Sequence, residues 1–178
     1  MMKPDTDNSS SALLLWFLGA WFFLSVAMAY VAGSTFATMK PDRLRRADEV
    51  FSKLDATTER PRALKFVAAE LNRRFFLHYG NAQLAIGLVA LILATRTRRR
   101  LPLLMIALAF ALAVFFRLHL IPEATTLGRA IDFLPRQPMT PERARFDNLH
   151  RLSTGSEVIK MVFLLGATLF VLGRKRTD

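Results

Sequence analysis

FFLHYGNAQLAIGLVALILAT (residues 75–95) runs from Arg74 to Arg96 without a charged side chain. Arg96-Thr97-Arg98-Arg99-Arg100 follows, and then LPLLMIALAFALAVFF (101–116), again free of charge. A helix needs about 20 apolar residues to cross a hydrocarbon core about 30 Å thick. Residues 75–95 meet that requirement outright. The second run meets it by continuing past Arg117 to Ile121, with the guanidinium snorkelling to the boundary. Two apolar runs joined by a short arginine-rich link form a membrane hairpin with a charged tip. Lipid cannot satisfy a bare backbone, so each run is expected to be helical.

Two further runs flank this hairpin. Residues 8–39 carry no charge, and Ala12 to Gly33 within them are nearly all apolar. Residues 161–173 are charge-free and reach spanning length if the crossing begins near Thr154. The expected spans are therefore about 12–34, 75–95, 101–121 and 154–173, within one domain over 1–178. Four such runs in 178 residues leave too little chain to cover them with protein. The expected fold class is all-α, an integral membrane four-helix bundle with amphipathic connecting helices. The first run exceeds a signal-peptide core and lacks a small-x-small cleavage pattern, so it reads as a retained anchor.

Composition removes other classes. Hydrophobic residues make up 52% and charged ones 22%, too apolar a chain for disorder. With no Cys there is no disulfide framework, thiolate metal site or thiol nucleophile. There is no HExxH, GxSxG, P-loop or GxGxxG motif, and nothing points to an enzyme. Met28, Met105 and Met161 are scattered, unlike a copper conduit.

The connections are amphipathic. In 40–74, Leu44, Ala47, Val50, Phe51 and Leu54 recur at helical spacing. After Pro61 the stripe Leu64, Val67, Ala68, Leu71 and Phe75 leads straight into the second span, so that helix extends several turns out of the bilayer. In 122–140, Ala124, Leu127, Ile131 and Leu134 form a second stripe, with Arg129, Asp132 and Arg136 expected to face away. These pieces either lie flat on the membrane or pack on the ends of the bundle. Thr140-Pro141-Glu142 is a helix start, with Thr as N-cap, Pro at the first position and an acid in the first turn. Ser25, Ala29 and Gly33 suggest a small-residue packing seam, and Gly80, Gly87 and Gly166 points of close approach.

The formal charge of +11 is mainly a topology signal. Eight basic residues lie on the side of the N-terminus, hairpin and C-tail, and fifteen on the other. The count places the N-terminus outside. The density of the hairpin, which is hard to export, places both termini inside, and this second arrangement, in the cytoplasmic (inner) membrane, is favoured. The expected partners are membrane lipids, with other membrane proteins or a second copy as further possibilities. Nucleic acid is a poor reading, because no recognition fold is present and the arginines divide between two membrane faces.

Three histidines carry the candidate chemistry. His78 begins the second span, His119 ends the third and His150 precedes the fourth. An up-and-down bundle places all three near one membrane face, opposite the hairpin. Two imidazoles at one depth could hold haem iron, copper or zinc. Arg74 and Asn81 share His78's helical face, Arg117 accompanies His119, and Ser153 and Glu157 follow His150, so these are the polar groups that could orient the ligands. The plainer alternative is that each imidazole presents its tip to water. Glu157 is also the one carboxylate inside a span, although Lys160 one turn on could neutralise it near the headgroups.

Phe146-x-x-Leu149-His150-x-x-Ser153 resembles a motif of an uncharacterised four-span membrane family, the bacterial domain of unknown function 4149, similar to transmembrane-protein-205-like proteins. Glu157 stands where that motif has Asn. Trp21-Phe22-Phe23 with Ala32-Gly33 and Phe36 is similar to the family's opening span, and Arg74 to Tyr79 is similar to its second-span entry without the proline. The resemblance implies a four-helix membrane bundle of unestablished activity. The architecture is also similar to copper-resistance-D and protoporphyrinogen-oxidase-J type bundles, which implies a role for histidines near one face.

Overall fold

The computed structural model describes residues 6–40, 53–97, 99–134 and 138–173, with Arg43 and Glu49. The expected stripe Leu44 to Phe51 and Arg136 lie outside the described residues. Helix α1 is Thr6–Thr38, α2 is Glu59–Arg96 and α3 is Arg100–Phe115. A π-helical turn, Phe116–Leu120, joins α3 directly to α4, Ile121–Ile131. Helix α5 is Pro141–Gly173. Four helical units, α3 and α4 counting as one, are long and apolar enough to cross a membrane. The chain is a multi-pass all-α membrane bundle.

The helices form a ring in which α1 neighbours α2, α2 neighbours α3, α3 neighbours α5, and α5 returns to α1. The backbones of the diagonal pairs, α1 with α3 and α2 with α5, do not touch. Only side chains can fill the middle. On α1 the buried face is Ser11, Leu14, Leu18, Trp21, Ser25 and Met28, alternating steps of three and four as in a left-handed bundle. The outward faces carry exposed Trp16, Phe23 and Tyr30 on α1 and exposed Val162, Leu169 and Phe170 on α5. In water such faces would be a liability; in lipid they are the solvated surface.

Local signals place the helix ends. Thr140 Oγ1 accepts the Arg143 backbone N–H at 3.3 Å, so the expected N-cap of α5 is present. Asp55 accepts the Thr58 N–H at 2.8 Å, while Glu59 reaches back to the Asp55 N–H at 3.0 Å. That reciprocal pair starts α2 ahead of Pro61, which is tolerated in a first turn.

Of the two alternatives for 122–134, packing on the end of the bundle holds: the third helix continues through the π turn and packs its end on α2 and α5. Two expectations need correction. Asp132, expected to face away, is instead turned inward and bonded to Arg73 at 2.7 Å. The seam on α1 also differs. Ser25 is buried, but Ala29 and Gly33 are exposed, and nothing lies within 4 Å of a side chain added at Gly33. Gly80, Gly87 and Gly166 are the true close approaches.

Gly87 lets the Trp21 ring onto α2: a Cβ there would fall 2.6 Å from Trp21 and 2.7 Å from Phe110. Gly87→Ala should therefore cost about 1–3 kcal/mol by overpacking, read as a lowered unfolding midpoint in detergent. Gly155→Ala, with open space at that position, should leave the midpoint unchanged or raise it.

Candidate functional site

The histidines lie at the end of the bundle opposite the hairpin, as the topology requires. At 1.5 Å per residue, His78 and His119 are roughly 27–29 Å along their helices from the hairpin, and His150 about one turn further out. All three are exposed. His119 stacks on Phe115 and lies 3.6 Å from Glu123. Among the described residues no hydrogen bond, ion pair or ring contact joins any two histidines, and no group of three potential metal ligands occurs. Their polar neighbours are engaged elsewhere. Asn81 accepts Arg117 Nε at 2.7 Å, and Ser153 donates to the Leu149 carbonyl at 2.9 Å. Arg117 thus turns to α2, away from the exposed His119.

What the bundle does bring together is a set of polar side chains in its middle. Lys160 is wholly buried. Its ammonium donates to Glu157 at 2.6 Å, to the Tyr79 hydroxyl at 3.0 Å and to Gln83 Oε1. The Tyr79 hydroxyl donates to Glu157 and lies 3.0 Å from Ser25 Oγ. Trp21 Nε1 donates to Gln83 Oε1 at 3.2 Å, and the Tyr79 ring lies 5.3 Å below the ammonium. An ammonium has three protons to place, and all three find acceptors. Helices α1, α2 and α5 are tied together across the diagonal that their backbones leave open.

This layer is deep. Lys160 and Gln83 each lie roughly 20 Å along their helices from the hairpin end, in a core about 30 Å thick. An apolar cluster of Leu14, Leu18, Ala90, Ile106 and Leu164 closes it toward the hairpin. A second, with Met28, Phe116, Leu120 and Leu149, closes it toward the other face. Lys160 thus lies about two turns from the histidine-side boundary, as expected, but its side chain is wholly buried within the bundle instead of reaching the headgroups. Its signal was available: 156, 160, 164, 167 and 171 are successive inward positions of α5.

The second polar feature is a cleft of about 420 Å³ between α2 and the π turn with α4. Arg73, Arg74, Arg117 and Arg129 line it, against Glu70 as the one carboxylate. Glu70 binds Arg73 at 2.7 Å and Arg129 at 3.2 Å. Those hydrogen bonds, that of Arg129 foremost, hold its carboxyl below the usual range, so it stays charged. Arg74 is exposed and has no hydrogen bond or ion pair among the described residues; Arg117 has only the neutral Asn81.

Comparison with protein-family models, with curated proteins and with solved structures found no match. The geometry therefore carries the functional argument.

Removing one partner of a buried ion pair strands the other. Lys160→Ala should cost about 3–5 kcal/mol, while Lys160→Met with Glu157→Gln should recover most of that loss. Unfolding in detergent with the two singles and the double measures the coupling. Additive losses would mean that the pair does not interact.

Proposed function

We propose that the chain is an inner-membrane protein that acts by engaging anionic lipid at the membrane boundary on the histidine side, with both termini cytoplasmic. The observation that carries this reading is the surplus of guanidinium at that boundary. Arg74 and Arg117 line a concavity toward that boundary without a carboxylate of their own. A guanidinium at the membrane surface attracts an anionic headgroup through its charge and its paired N–H donors. The buried Lys160 layer supports the reading indirectly. It is closed on both sides by apolar side chains, which suits a rigid scaffold better than a conduit. Membership of the four-span family rests on the Phe146 to Ser153 motif.

The orientation rests on the hairpin. Arg96, Arg99 and Arg100 have no carboxylate partner among the described residues, and Arg99 instead donates to the Val171 carbonyl at 3.1 Å. At the other end Arg73, Arg129 and Arg145 are paired with acids.

The haem or metal reading of His78, His119 and His150 has no geometric support of this kind.

Lipid extracted with the detergent-purified protein should be enriched in phosphatidylglycerol and cardiolipin over their share of the host membrane, by mass spectrometry. Retention in proportion to that share would overturn the lipid reading. Reporter fusions at the hairpin and the C-tail should both report the cytoplasm; export of either overturns the orientation alone.

A further inference from the structure

We infer that the cleft between α2 and the π turn with α4 is a binding site for the phosphate of one membrane phospholipid, gripped by Arg74 and Arg117. The inference rests on the anionic-lipid reading and names its site.

Three observations converge on Arg117. Arg117 stands one heptad past Phe110, which sits on Gly87, and so faces Gly80, seven residues before Gly87. Gly80 makes room for it: a Cβ at that position would stand 2.6 Å from Arg117 Cδ. Asn81 then holds its Nε at 2.7 Å, leaving the terminal nitrogens of the fork free of any partner among the described residues. A guanidinium anchored at Nε presents two parallel N–H groups, the geometry that suits a phosphate. Arg74, lining the same cleft without a partner, supplies a second charge.

The remaining walls are ordered along the membrane normal. Glu70 and Arg129 occupy the water-side end, with Thr125 between as a hydroxyl donor and Thr126 bonded to the Pro122 carbonyl at 3.0 Å. Leu77, Ile121 and Pro122 form apolar walls between Arg74 and Arg117, and Arg117 lies nearest the hydrocarbon. A free phosphate has no use for apolar walls. A phospholipid does, since its glycerol and acyl carbons pack beside the phosphate. The volume, about 420 Å³, lies within the ~300–1,000 Å³ usual for small-molecule sites. Glu70 does not cancel the site, because Arg73 and Arg129 already neutralise it.

The test is native mass spectrometry of the full chain in a neutral detergent, titrated with phosphatidylglycerol, phosphatidylcholine or inorganic phosphate. Wild type should hold one phosphatidylglycerol in preference to phosphatidylcholine. Arg74→Gln removes an exposed, unpartnered side chain and so leaves folding intact; alone or with Arg117→Gln it should weaken phosphatidylglycerol binding, the pair by roughly tenfold or more. Gly80→Ala keeps every charge but displaces Arg117, and should weaken binding too. Arg96→Gln with Arg100→Gln, at the hairpin end, should not. If the preference survives in the cleft variants, this site is wrong while the broader lipid reading stands. Equal losses in the hairpin variant would mean diffuse attraction and overturn the site. Displacement of the lipid by an equal concentration of inorganic phosphate would overturn the assignment to lipid. Absence of any preference in wild type would bring down the broader reading itself.

Discussion

No water is at hand in the hydrocarbon to solvate an ammonium, so Lys160 must find every acceptor within the protein. Two helices supply them, Glu157 from its own and Tyr79 and Gln83 from α2, and Ser25 and Trp21 of α1 are bonded behind. Much of the packing follows from that demand. The long side chain crosses the diagonal of the ring, where backbones stand too far apart for small residues to meet. Gly87 brings the Trp21 ring close enough for its indole N–H to reach Gln83. Shifting any one of the three helices by a turn would strand a proton donor or a carboxylate in an apolar layer.

Such a layer does more for uniqueness than for stability. Association of apolar helices in lipid lacks the hydrophobic drive that it has in water, and many registers are close in energy. A buried ion pair is weak as a net stabiliser because its desolvation offsets its attraction. Yet a misregistered bundle would bear the desolvation without the attraction. The apolar clusters on either side of the layer would tolerate sliding; the charged layer would not.

The fold was largely legible in the sequence, because hydrocarbon imposes length and polarity on each run. The extension of α2 beyond the bilayer, the Thr140 cap and the close approaches at Gly80, Gly87 and Gly166 all followed from local pattern. Long-range pairing did not. Glu157 and Lys160 are neighbours at i and i+3, and that local reading concealed the partners from α2, 77 to 81 residues away in sequence. Asp132 failed for the same reason, since its partner Arg73 lies 59 residues earlier. The seam on α1 serves packing within the chain only at Ser25, because Ala29 and Gly33 fall off the inward phase.

The π turn shows how a change of phase can separate the two ends of one helix. Along α3 and through the turn the inward positions 102, 106, 109, 113, 116 and 120 keep a regular rhythm. After the turn they become 121, 128 and 131. The extra residue rotates α4 relative to α3, so the hydrocarbon-spanning part packs on the core while α4 seats Gly128 against Arg73 and Phe146. Arg117 keeps the phase of α3: Phe110 sits on Gly87, and Arg117, one heptad on, sits on Gly80, where Asn81 receives it, while His119 stays outside. The heptad therefore decides which of the two polar residues enters a built environment, and it selects the arginine.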